Sequence, residues 1–162
     1  MADPASQHRN DLIYCSRRFL DRKVVIGISA TDSDRVTDEL TDGYATLTVD
    51  AQPRAGATKL YAHLHDRLGL YGSPTGAYAA RQVHEALEKQ QMVLVVRDAH
   101  LLSRAAADIL ASVLRDRQSR SVIVVSPDLD QALDRSPKLR SWCTCIISDA
   151  ALAAVNSLSD AA

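Results

Sequence analysis

Three short runs dense in β-branched residues, Val24–Ile28 (VVIGI), Met92–Val96 (MVLVV) and Val122–Val125 (VIVV), are apolar without alternation. Strands of this kind have both faces covered, which is the signature of a parallel sheet between helical layers. Tyr44–Val49 (YATLTV) reads as a further strand, and Trp142–Ile147 (WCTCII) fits an outer one. Parallel neighbours cannot be joined by tight hairpins, so each gap must hold a crossover segment.

The gaps carry helical period. After Gly56, residues Ala57, Leu60, Tyr61, Leu64 and Leu68 follow the spacing of one buried stripe, and Gly69 then stops the helix. Ala80, Val83, Ala86 and Leu87 mark a second helix, entered through Ser73-Pro74-Thr75-Gly76. Leu102, Ala106, Ile109, Leu110 and Val113 mark a third that Ser103 can cap. A shorter helix is expected over Asp34–Leu40, and an amino-terminal one over Asn10–Leu20. Strands alternating with helices predict a three-layer α/β sandwich, doubly wound, with its functional edge at the carboxyl ends of the strands. Residues 1–9 are expected to be flexible and residues 10–157 to form a single domain, without repeats or linkers.

Composition narrows the function. With 19 basic against 20 acidic residues in 162, the net charge is −1, so no overall field steers the chain toward nucleic acid or anionic lipid. Aromatics make up 4%, too few to expect a platform for stacking bases. No apolar stretch approaches a membrane span, and the start MADPASQHRND lacks the pattern of a secretion signal. A cytoplasmic location is expected. Three cysteines leave at least one unpaired, and Cys143 and Cys145 alternate within an apolar run, as reduced core thiols would.

Chemistry is expected in two loops. The first strand leads through Gly27-Ile28-Ser29-Ala30-Thr31-Asp32-Ser33-Asp34 into a helix. At such a junction a nucleotide-binding protein carries G-x-x-x-x-G-K-[ST], whose backbone amides cradle phosphates while the lysine neutralises them. With Gly27 as the first glycine, the second falls on Asp32, the lysine on Ser33 and the metal-binding hydroxyl on Asp34. None of the four lysines, Lys23, Lys59, Lys89 and Lys138, follows a glycine, so no intact phosphate loop exists in the sequence.

The second loop ends the third expected strand: Val93-Leu94-Val95-Val96-Arg97-Asp98-Ala99-His100-Leu101-Leu102. This stretch resembles the h-h-h-h-D-E-A-H-L-L segment of AAA+ ATPases, especially the group that includes transposon and Mu-like phage target-selection ATPases and secretion-associated ATPases. Tyr44–Leu70 is similar to that group's second strand, polar turn and amphipathic helix. Ser121–Arg140 is similar to its sensor strand, small helix and following arginine. The resemblance covers roughly residues 10–150 and implies a sheet of order 5-1-4-3-2. The helical lid of that family is not expected after Ile147.

Against the family pattern, Arg97 replaces the metal-binding Asp and Asp98 the water-activating Glu. The charges are thereby exchanged: carboxylates stand where the loop should attract phosphate, and a cation stands where magnesium should bind. One like-charge contact at about 4 Å costs on the order of 1 kcal/mol in water and about 4 at an effective dielectric of 20. The resemblance thus implies an inactive ATPase-like domain with no cofactor, binding or regulating a protein partner such as an active AAA+ ATPase or its own copies. The alternatives are a divergent NTPase that still binds nucleotide, and a DNA-binding subunit using Arg115, Arg117 and Arg120. That arginine cluster reads more simply as a solvated helix end.

Arg140 falls where the resemblance places an arginine acting on a neighbour's nucleotide; a plainer role is a helix-end pair with an acid such as Asp134. Taken alone, Asp32 and Asp34 are ordinary helix caps. An Arg97 relieved of its metal role is expected to turn toward Asp32, Asp34 or Asp98 and fill the vacated pocket. Asp50 looks like a receiver-domain phosphoacceptor, yet the acidic pair that should accompany it is missing. Thr58-Lys59 mimics a fragment of a phosphate loop after the wrong strand. No metal site is expected, since His63 and His65 cannot share a helix face and His100 reads as a helix-entry residue.

Overall fold

In the computed structural model, which describes residues 3–115 and 121–153, the apolar runs lie side by side as one parallel sheet. The strands are β1 (Val25–Ser29), β2 (Thr46–Asp50), β3 (Val93–Arg97), β4 (Val122–Val125) and β5 (Cys143–Ser148). Their order is β2-β3-β4-β1-β5, the expected order read from the other edge. The helices are α1 (Pro4–Arg17), α2 (Ser33–Thr41), α3 (Ala57–Arg67), α4 (Ala77–Gln90), α5 (Arg104–Arg115), α6 (Leu129–Asp134), α7 (Pro137–Trp142) and α8 (Asp149–Ala153).

The chain leaves β1 in one direction to reach β2 at the far edge, then returns strand by strand and passes over β1 to β5. Crossovers of one hand running in opposite directions must lie on opposite faces. The core accordingly has two parts. Val25, Leu47, Val49, Leu94, Val96, Val122 and Val124 point to one face, under Leu64, Leu87, Leu110 and Leu133 from the helices between β2 and β5. Ile26, Ile28, Val93, Val95, Ile123 and Val125 point to the other, under Ile13 of α1 and Val36 and Leu40 of α2.

Local signals account for the boundaries. In α3, Leu60 and Leu64 are buried, and Gly69 follows the helix end at a φ of +66°, which a residue with a side chain rarely adopts. Ser103 Oγ accepts from the Ala106 amide at 3.1 Å, so it caps α5 as expected. α1 begins at Pro4, so residues 4–9, expected within a flexible terminus, belong to that helix. The signal was Asp3-Pro4, a capping residue ahead of a proline at the first helical position. α7 is an addition to the expected elements; Ser136 Oγ accepts from the Leu139 amide at 3.2 Å and so starts it.

The cysteines depart from strict alternation. Val25 pairs with Cys143 and Ile26 with Cys145, so Thr144 is an extra residue that bulges from β5. Cys143 packs on the α3–α7 side of the sheet and Cys145 on the α1–α2 side. Both are half-buried, Cys15 is exposed, and all three are free thiols. Burial pushes the Cys143 thiol above its ordinary value. Among the described residues, no helix is long and apolar enough to cross a membrane.

Candidate functional site

The carboxyl ends of β1, β2, β3 and β4 open onto a cavity of about 510 Å³. Thr31, Ser33 and Asp34 line it from the β1–α2 junction, Asp50 from β2, Arg97 and Asp98 from β3, and Ser126 from β4. β1 is followed by a crossover on one face and its neighbour β4 by a crossover on the other. Such a reversal point leaves a crevice at the sheet edge.

Arg97 dominates this crevice. Its Nε donates to Asp50 Oδ1 at 2.6 Å and its Nη2 to Asp50 Oδ2 at 3.1 Å, a two-pronged pair. Its Nη1 reaches Asp34 Oδ1 at 3.5 Å, at the limit of a hydrogen bond. The expectation that Arg97 turns toward carboxylates across the sheet edge holds for Asp34, but its principal partner is Asp50. These two residues are register partners at the ends of adjacent strands, which sets their side chains next to each other without any loop rearrangement. Hydrogen bonding to Arg97 holds the Asp50 carboxyl below the usual carboxylate range. The same bond, outweighing partial burial, raises Arg97 in turn. Both groups are substantially exposed, at 41% and 56%, so the pair contributes about 0.5–1 kcal/mol rather than the value of a buried one.

Of the other expected partners, Asp32 is committed elsewhere. Asp32 precedes α2 without capping it through its side chain, which instead accepts from Arg9 Nη2 at 3.0 Å. Arg9 also pairs with Glu39, so one guanidinium ties α1 to both ends of α2. Asp98 is exposed and sits in the left-handed backbone region at φ +53°. Ser33 is the first residue of α2.

Gly27 requires a correction. It lies inside β1, paired with Val124 and Ile146, rather than opening a loop. A β-carbon built there would sit 2.5 Å from Leu129 Cδ2, so the glycine exists to admit the Leu129 side chain against the sheet. With β1 running to Ser29 and α2 starting at Ser33, only residues 30–32 join them, a shorter span than the G-x-x-x-x-G-K-[ST] phosphate loop. The amide of Thr31 in that junction already has an anion. It donates to both oxygens of Asp149, at 3.0 and 3.1 Å, and the Thr31 hydroxyl donates to Asp149 Oδ2 at 2.8 Å. These bonds, the amide first, hold the Asp149 carboxyl below its ordinary range.

The remaining predicted positions are dispersed. Arg140 is 42% exposed and pairs with Asp134 at 2.6 Å and Asp130 at 3.4 Å, the arrangement of a helix-end arginine. Arg115 closes α5 and is exposed, whereas Arg117 and Arg120 lie outside the described residues. His65 is 2% exposed and bonds Gln82 Oε1 at 3.1 Å through Nε2, and His63 stands on a different side of α3. His100 Nδ1 lies 3.1 Å from Ser126 Oγ. The Ser126 hydroxyl is also within reach of the Asp128 carbonyl, at 2.9 Å, and accepts from the Asp128 amide at 3.1 Å. Among the described residues, no three His, Cys, Asp or Glu side chains converge as a metal-ligand set. Compared with protein-family models and with curated proteins, the chain matches none.

Proposed function

We propose that this chain is a catalytically inactive domain of the AAA+ type that works as a protein-binding or regulatory module, with a nucleotide pocket converted to an internal ion-pair site. The observation that carries the reading is the Arg97 guanidinium bound to Asp50 and Asp34 across the crevice. In a working site of this type the third strand offers a carboxylate to magnesium and the first loop offers positive charge to phosphate. Here the third strand offers a cation, which repels magnesium, and the cation is already neutralised by two carboxylates that repel phosphate. The three-residue junction after β1 and the Asp149 carboxylate on the Thr31 amide point the same way. The partner class this leaves is a protein, either an active ATPase of the same type or a second copy of the chain.

Isothermal titration with ATP and magnesium, followed by a phosphate-release assay, tests the reading. No binding up to millimolar nucleotide and no turnover above buffer is the expected result. Micromolar binding that Arg97→Ala abolishes would instead identify a divergent NTPase gripping phosphate with that arginine, and would overturn the proposal.

A further inference from the structure

The last described element, α8, has a different mode of attachment from every other described helix. None of its five residues is buried. It follows β5 at Ser148, which is the register partner of Ser29 at the end of β1, so its first residue Asp149 emerges beside the β1–α2 junction. There the Asp149 carboxylate takes both the amide and the hydroxyl of Thr31. Farther along, His8 Nε2 of α1 donates to the Ala151 carbonyl at 3.2 Å, and Leu152 packs half-buried against the core face under α1 and α2.

A helix whose described residues offer one apolar anchor and polar bonds at two points belongs to the low end of local stability, where segments open without global unfolding. Its bonds also reach two elements that meet the crevice. Thr31 forms part of the cavity wall, and α1 carries Arg9, which holds Asp32 in the same junction. We propose that α8 is a detachable strap, fastened by Asp149 to Thr31 and by Ala151 to His8, and that its two fastenings release together, freeing the Thr31 amide and hydroxyl at the crevice wall. The inference stands apart from the nucleotide question, because it concerns the wall of the crevice and not what fills it.

Backbone relaxation of the full chain by NMR tests it. In Asp149→Asn, where one oxygen acceptor and the charge are gone, order parameters at Leu152 and Ala153 are expected to fall from rigid-backbone values near 0.85 to about 0.6 or below. His8→Ala, which touches only the far fastening, should speed exchange of the Thr31 amide several-fold, because the open population governs that rate. Thr31→Val, which keeps the amide bond and loses the hydroxyl bond, should give an intermediate loss of order. If Thr31 responds in Asp149→Asn while Leu152 and Ala153 stay rigid, the contact is a local cap and the strap is refuted. Equal loosening at Val95 in the central strand would mark general destabilisation and refute it as well.

Discussion

On the sheet face beneath α3 to α7, the helices are held by a broad apolar contact: Leu64, Leu87, Leu110, Leu114 and Leu133 are all 1% exposed or less. On the face beneath α1, α2 and α8, fewer side chains are buried, and charged or polar tethers bridge the elements. Arg9 joins α1 to Asp32 and Glu39, Arg17 donates to the carbonyls of Glu39 at 3.2 Å and Asp42 at 2.6 Å, and Asp149 joins α8 to Thr31. Apolar burial is non-directional and is not weakened by charge screening, whereas ion pairs fix geometry and weaken with it. The first face therefore supplies stability, and the second positions the β1–α2 junction that walls the crevice.

The sharpest way to break this contrast is to disturb the apolar face at its tightest point. Gly27→Ala would place a methyl group 2.5 Å from Leu129 Cδ2 and should cost about 1–3 kcal/mol in urea unfolding. Adding Leu129→Ala should cost less than the sum of the two single changes, because the new methyl occupies part of the space vacated. Strict additivity would show that the strand, not the leucine, resists the methyl.

A smaller effect should follow on the tethered face. Arg9→Ala removes a guanidinium that is only 18% exposed and serves two carboxylates, so a loss of about 1 kcal/mol is expected. The difference from wild type should shrink in 1 M salt, while that of Gly27→Ala should not. Equal salt dependence for the two variants would abolish the distinction between the faces.

The smallest effect is the pH response of the crevice pair. Because the folded-state Asp50 carboxyl lies below its unfolded value, its contribution is complete above about pH 4 and disappears as pH falls through the lower, folded value. Arg97→Met should return Asp50 to the ordinary carboxylate range, read by carboxyl-carbon NMR titration, with about 0.5–1 kcal/mol lost at neutral pH. An unchanged Asp50 titration would mean that another cation, such as nearby Arg67, holds it.

These tests also mark where sequence reading stopped. The strands and the α3 stripe follow from nearest-neighbour chemistry, since an unbroken apolar run and an i, i+3, i+4 spacing constrain burial directly. The Asp50–Arg97 pair depends on strand register: both residues end their runs, but only the knowledge that β2 and β3 are neighbours in phase makes them adjacent. Gly27 misled because a glycine near a strand end serves a phosphate loop and a close-packed leucine equally well. Asp149 carried no signal at all, because its partner Thr31 is more than a hundred residues away and exposed.

The extra residue in β5 has a consequence for how copies of this chain meet. A parallel sheet with two outer strands offers two templates for endless lateral growth, and each is spoiled differently. At β2, Arg67 Nη2 already occupies the Thr48 carbonyl, at 3.3 Å. At β5, the bulge at Thr144 breaks the even spacing that an incoming strand would need, although Ile146 beside it is 47% exposed and would otherwise invite one. Both described edges of the sheet are thus poor templates for ribbon-like stacking of copies.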